Sequence, residues 1–417
     1  MNTGAIRHLC ALAFTSLVAL SACSSGSSET GENLAETSPI LWLPCGVIEC
    51  GSVEVSVHSD DGALETASLS VYRRAAVSGD NNKTLFLLPD VIEGVPARQL
   101  AEKAPLMFGS ATRDFNVIAI APRGALGSTL PEGSEHLVST MHNANDLEQV
   151  RSAVGKSRVS VLAWGSGATA AAAWVMLYPK SVDRVVLDTP GDPSMSPLKQ
   201  AEKQIEASKQ GIETALRWCA SHLACPMNAN VATELNKFRT SLRFNLLPDG
   251  VDFDTVARAG SRALADGHPQ YLFDAIAQAT NGRAESLAAL AGEPATEFDA
   301  LYRCANASKK DAALIVAKYQ EVQYRHFGIG IEKDLYQKCA ALPDAVSPLG
   351  TVVANKNAKD ADVMVTIARG DPIWSPYIPR NMAKRMTWQY NSVYANRHLV
   401  VGFDRAITAS AMEFLAD

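Results

Sequence analysis

Polar and apolar residues alternate from Val53 to Val71, with an Asp60-Asp61-Gly62 turn between. A period of two marks strands with one buried face, so two antiparallel strands are expected to open the fold. Three short apolar runs follow, Thr84 to Leu88, Val117 to Ala121 and Val159 to Ala163, each trailed by a loop and a helical stretch, and then Arg184 to Asp188. Such alternation implies α/β architecture, a mostly parallel sheet wrapped by helices. From Pro197 to Pro343 the pattern changes to long helical periodicities, such as Pro197 to Ala220 and Asp311 to His326, with no strand run. The strand pattern resumes at Val363 to Ala368 and His398 to Gly402, and a helix over Ala406 to Leu415 closes the chain. One α/β domain in two segments, 40–196 and 346–417, is therefore expected to carry an inserted helical cap over 197–345.

The N-terminus reads differently. Arg7 precedes twelve residues, Leu9 to Leu20, that are apolar but too few to span a bilayer, as in a signal peptide over 1–22. The run ends in Leu20-Ser21-Ala22-Cys23. This is similar to the bacterial lipobox, which implies lipidation of Cys23; the alternative is a plain secretory signal with an incidental cysteine. A Ser-, Gly- and Glu-rich tether over 23–39 has little to bury and is expected to be disordered. The lipid bilayer is then a partner through the N-terminal lipid. The expected location is the bacterial cell envelope, on the periplasmic face of the outer membrane.

Of 417 residues, 47% are hydrophobic, enough for a large core. A net charge of -6 with no basic run excludes nucleic acid as a partner, because phosphate binding needs clustered Lys and Arg. Eight cysteines become six once Cys10 leaves with the signal and Cys23 carries lipid. An even number in an exported chain suggests disulfides. Cys45 with Cys50 and Cys219 with Cys225 are close in sequence, which leaves Cys304 with Cys339, although six cysteines permit about 15 connectivities. No Cys or His pair completes a metal site at finger spacing, and no cofactor is expected.

The turn Ala163-Trp164-Gly165-Ser166-Gly167-Ala168-Thr169 resembles a nucleophile elbow with its serine displaced by one place. Around it, Trp42-Leu43-Pro44-Cys45 with Glu49-Cys50-Gly51, Ala121-Pro122-Arg123-Gly124-Ala125-Leu126-Gly127-Ser128, Tyr178-Pro179, Val182 to Asp188 with Asp192-Pro193, Trp218-Cys219 to Cys225-Pro226, Cys339-Ala340-Ala341-Leu342-Pro343 and Gly370-Asp371-Pro372 with Ser375-Pro376 occur in order. Together they resemble the exported tripeptidyl-aminopeptidase and proline-iminopeptidase branch of the α/β-hydrolases. The resemblance implies a serine hydrolase fold, with Asp371 at the position of the triad acid.

It also exposes departures. In that branch the nucleophile lies fourteen residues before the proline of Tyr-Pro, and counting back from Pro179 lands on Gly165. The histidine expected in G-x-G-H is replaced by Gly402-Phe403-Asp404-Arg405, and no histidine follows His398. If His398 starts a strand, it lies about 20 Å from the catalytic edge. The oxyanion loop H-G-G-P-G is replaced by Leu88-Pro89-Asp90-Val91-Ile92-Glu93-Gly94, whose acids would repel an oxyanion. These three losses imply a catalytically degenerate member, with Gly165 as a vacated nucleophile position, acting by binding a peptide, a small apolar ligand or an envelope protein. The alternative is an active hydrolase of peptides or esters using Ser166, with His136 or His142 recruited as base. Each of these residues also has a plainer role. Ser166 would cap the helix through Tyr178, Asp371 would cap one near Pro376 to Met386, Arg123 would brace its loop, and Trp374 and Tyr377 would line a cleft or pack in the core.

Overall fold

The computed structural model describes residues 39–58, 64–77, 83–90, 95–125, 127–227, 229–248, 251–294, 296–323 and 330–417. The signal segment, Cys23 and its tether to Ser38, the Asp60-Asp61-Gly62 turn, Val91-Ile92-Glu93-Gly94, Leu126 and His326 lie outside the described residues.

Among the described residues the strands are β1 Leu43–Cys45, β2 Ile48–His58, β3 Leu64–Arg74, β4 Thr84–Leu88, β5 Asn116–Ile120, β6 Val159–Trp164, β7 Val182–Asp188, β8 Asp362–Ala368 and β9 Gln389–Val393. They form one sheet in the order β1-β2-β3-β5-β4-β6-β7-β8-β9. The first three strands are antiparallel, β3 meets β5 antiparallel, and from β5 onward neighbours run parallel. Every residue of β4 and of β6 is buried, as expected of strands covered on both faces.

Helices α1 Ala97–Phe108, α2 Thr140–Ala153 and α3 Gly165–Leu177 follow β4, β5 and β6. The helical segment holds α4 Pro197–Ser221, α5 Val231–Arg243, α6 Phe253–Ala265, α7 Pro269–Thr280, α8 Glu285–Ala291, α9 Glu297–Ala305, α10 Lys309–Gln323 and α11 Gly330–Lys338; α12 Tyr377–Met386 and α13 Arg405–Ala416 complete the chain. Leu147 of α2, Trp174 of α3 and Met382 of α12 pack on one face of the sheet, Leu100 of α1 and Ile407 of α13 on the other. Helix α3 is alanine-rich because it lies close against the sheet: a Cβ on Gly167 would stand 2.3 Å from the carbonyl oxygen of Pro89.

The cap has apolar cores of its own, one built on Phe238, Phe273 and Ile276, another on Ile205, Tyr319 and the Cys304–Cys339 pair. Disulfides join Cys45 to Cys50, Cys219 to Cys225 and Cys304 to Cys339, the three pairs expected from spacing. The last closes a loop of 35 residues and ties α9 to the end of α11, which on chain-entropy grounds stabilises the fold by about 3 to 4 kcal/mol.

One strand assignment is corrected. His398 to Gly402 is a loop, and the last strand is β9, Gln389–Val393, paired in parallel with β8. β9 is an edge strand, exposed or half-buried at every position, so its sequence carries no apolar run. Leu399, Val400 and Val401 are apolar for a different reason, because they pack into the core while the N-H groups of Val400 and Val401 donate to Asp188 Oδ2 at 2.7 and 2.8 Å.

Candidate active site

The turn from β6 into α3 keeps the shape of an elbow. Trp164 is extended and Gly165 has φ +51°, a left-handed conformation that glycine adopts without a steric penalty. Helix α3 begins at Gly165, so Ser166 lies inside its first turn and is not the cap. Its hydroxyl instead donates to Asp90 Oδ1 at 2.7 Å.

Asp90 reaches the elbow from the loop after β4, the loop expected to supply oxyanion donors. Its carboxylate fills the space of the missing side chain: an ideal Cβ on Gly165 would stand 2.3 Å from Asp90 Oδ2 and 2.6 Å from Cγ. The N-terminal end of α3 favours a negative group at this point.

The general base is the second apparent loss, and the geometry corrects it. Because the chain turns back after β9, His398 lies at the sheet edge, where its Nδ1 bonds Asp371 Oδ2 at 2.8 Å and its Nε2 stands 4.0 Å from Asp90 Oδ2. All three side chains are buried, at 9% exposure for Asp90, 7% for His398 and 3% for Asp371. Asp371 Oδ1 accepts the N-H groups of Ile373 and Trp374, both at 2.8 Å, so the acid braces its own turn and orients the imidazole. It does not cap α12, whose cap position is Pro376.

Neither histidine proposed as a recruited base reaches Ser166. His142 closes a capping box with Ser139 at the start of α2, and burial, then the positive Arg123 and His136, lower its pKa to about 3. It is neutral at physiological pH, and neither His142 nor His136 lines the cavity at the elbow. Arg123 braces its loop through a bidentate pair with Asp146 and a bond to the Leu137 carbonyl.

A cavity of about 90 Å³ opens at this edge beneath the cap. Asp90, Ser166 and His398 line it from the sheet, Tyr302 and Tyr336 from α9 and α11, and Trp374 from the Asp371 turn. Tyr377, by contrast, is 46% exposed, with Lys203 over its ring. The Tyr302 hydroxyl meets Thr140 Oγ1 at 3.4 Å and also bonds Ser166; burial is the main cause that raises its pKa. A phenol so placed stays protonated at neutral pH.

Behind the imidazole, Asp188 is fully buried and holds the His398 loop by the N-H groups of Val400 and Val401. Burial raises its pKa from 3.8 to about 6, partly offset by those bonds. The folded value exceeds the unfolded one, so this group's contribution to stability is full below pH 3.8 and is lost as pH rises through about 6. Asp188→Asn keeps an acceptor for both N-H groups and should flatten the dependence of the urea midpoint over that window. Asp188→Ala strands both donors and should cost about 2 to 4 kcal/mol. A wild-type midpoint that is flat across the same window would count against this account.

The residues that sequence reasoning missed are Asp90 and His398. The only signal was weak: an acid directly after a core strand, and a last histidine downstream of the Asp371 turn.

Comparison with known proteins agrees with the architecture. A family model described as the alpha/beta hydrolase fold matches residues 97–401. Serine protease Hip1 of Mycobacterium tuberculosis, and likewise that of Mycobacterium bovis, is 22% identical over 278 residues, 53% of this chain and 52% of the relative. The chain thus spans about half the length of the curated relatives it matches. Among solved structures, the proline iminopeptidase-related protein of Thermus thermophilus is 15% identical, with coverage of 88% of this chain and 98% of that one and a TM-score of 0.41. Homoserine O-acetyltransferase of Staphylococcus aureus is 9% identical, with 88% and 94% coverage and a TM-score of 0.46. With the family model matching well over half its length, the chain belongs to the α/β-hydrolase fold family.

Proposed function

We propose that this protein is an envelope lipoprotein that has given up the serine-hydrolase chemistry of its relatives and acts by binding a peptide or small apolar ligand in the cavity under its cap. One observation carries the reading: the Asp90 carboxylate occupies the volume of the absent Gly165 side chain and takes the hydroxyl proton of Ser166. A serine nucleophile needs a base at its hydroxyl and N-H donors at the developing oxyanion. Here Ser166 is turned toward a carboxylate, and that carboxylate lies in the loop where oxyanion donors would stand. Losing one such element typically costs hundreds-fold or more in rate. The intact His398–Asp371 pair narrows the loss to the nucleophile and the oxyanion loop.

A fluorophosphonate probe should therefore leave the purified protein unlabelled. Robust labelling that disappears in Ser166→Ala would overturn the reading in favour of Ser166 as a shifted nucleophile. The anchor is tested separately. Cys23→Ala should release the protein from membranes or block its maturation, and unchanged membrane fractionation would refute lipidation.

A further inference from the structure

The same site holds groups for a different chemistry, and we infer that Asp90 is a carboxylate nucleophile toward a saturated carbon, with epoxides as the substrate class. The inference goes beyond ligand binding but rests on the cavity assigned to it. Asp90 Oδ1 accepts the Ser166 hydroxyl at 2.7 Å, while Oδ2 stands 4.0 Å from His398 Nε2, whose Nδ1 is fixed by Asp371 at 2.8 Å. A nucleophilic carboxylate, an imidazole beside it and an acid orienting the imidazole thus converge on one cavity.

The feature that opposes acyl transfer favours this alternative. Attack at a carbonyl builds negative charge on the carbonyl oxygen, which a carboxylate in the oxyanion loop would repel. Displacement at a saturated carbon builds charge on the departing atom, and for a strained cyclic ether that atom needs a proton. Tyr302 lines the cavity from α9, and its hydroxyl bonds Ser166, which in turn bonds Asp90.

In the first step Asp90 Oδ2 bonds to the epoxide carbon, the ring carbon-oxygen bond breaks, and its electron pair stays on an oxygen that takes the Tyr302 proton. Water then adds to Cγ of the Asp90 ester while passing a proton to His398 Nε2. The tetrahedral adduct expels the diol oxygen, which takes that proton from His398. The proton left on the regenerated Asp90 carboxyl returns through Ser166 to the Tyr302 phenolate. The net reaction is epoxide plus water to diol.

The test uses the mature protein and styrene oxide. His398→Gln should accumulate one covalent adduct per chain, mapped to Asp90, because the ester forms but is not hydrolysed. In wild type, a single turnover in heavy-oxygen water should place the label in the Asp90 carboxyl. Asp90→Asn and Asp90→Ala should each lower diol formation by ~10³-fold, and Tyr302→Phe by ~10²-fold. Thermal melting of each variant checks its fold. Absence of an adduct in folded His398→Gln that still binds styrene oxide, read by quenching of tryptophan fluorescence, would overturn the inference and leave ligand binding standing. An adduct on Ser166 would overturn both.

Discussion

Gly165→Ser combined with Asp90→Gly is expected to convert an unlabelled protein into one that reacts with a fluorophosphonate at the introduced hydroxyl, at least ~10²-fold faster than wild type. The elbow already has the left-handed backbone that its first helical residue requires, with φ +51° at Gly165, and His398 is already oriented by Asp371. What prevents a serine at Gly165 is the carboxylate, since its Cβ alone would stand 2.3 Å from Asp90 Oδ2. Removing that side chain clears the volume and takes a negative charge away from the developing oxyanion. Gly165→Ser alone should therefore gain little. The double variant should still fall short of a complete serine hydrolase by roughly 10² to 10³, because a lost oxyanion donor costs that much and none has been supplied. Equal labelling of the single and double variants would show that Asp90 does not block the site.

Asp146→Ala is expected to destabilise the fold by about 3 to 5 kcal/mol, the cost of leaving a buried charge without its partner. Arg123 and Asp146 are 2% and 3% exposed at their side chains and pair in bidentate fashion, and Arg123 also donates to the Leu137 carbonyl. Once the carboxylate is gone, the guanidinium can neither reach water nor lose its proton within any physiological range. Arg123→Met with Asp146→Leu should cost less than Asp146→Ala alone, since an apolar pair of similar volume escapes the desolvation penalty. Urea denaturation of the three proteins measures this. A loss below about 1 kcal/mol in Asp146→Ala would place the pair among the weak, solvent-screened ones.

The strands that could be read from the chain are those whose side chains have no choice of environment. β4, β6, β7 and β8 are buried on both faces for most of their length, so each had to be an apolar run with a loop and helix to follow. The disulfide pairs were legible for a related reason, since two of the three join cysteines only 5 and 6 residues apart. β9 was not legible, because an edge strand of exposed and half-buried residues has no period that burial imposes. Its loss displaced the strand pattern onto Leu399, Val400 and Val401, and with that His398 was sent to the wrong end of the sheet.

The sequence by itself determined the alternating architecture, the elbow with glycine in the nucleophile's place, and Asp371 at the position of the acid. Local periodicity and turn chemistry suffice for each of these, because neighbouring residues impose them. Tertiary structure alone decided what fills the empty place. Asp90 arrives from the loop after β4, Ser166 from α3 and His398 from beyond β9. No local pattern links three such segments, and their side chains meet only because the parallel strands that carry them deliver their loops to the same edge of one sheet.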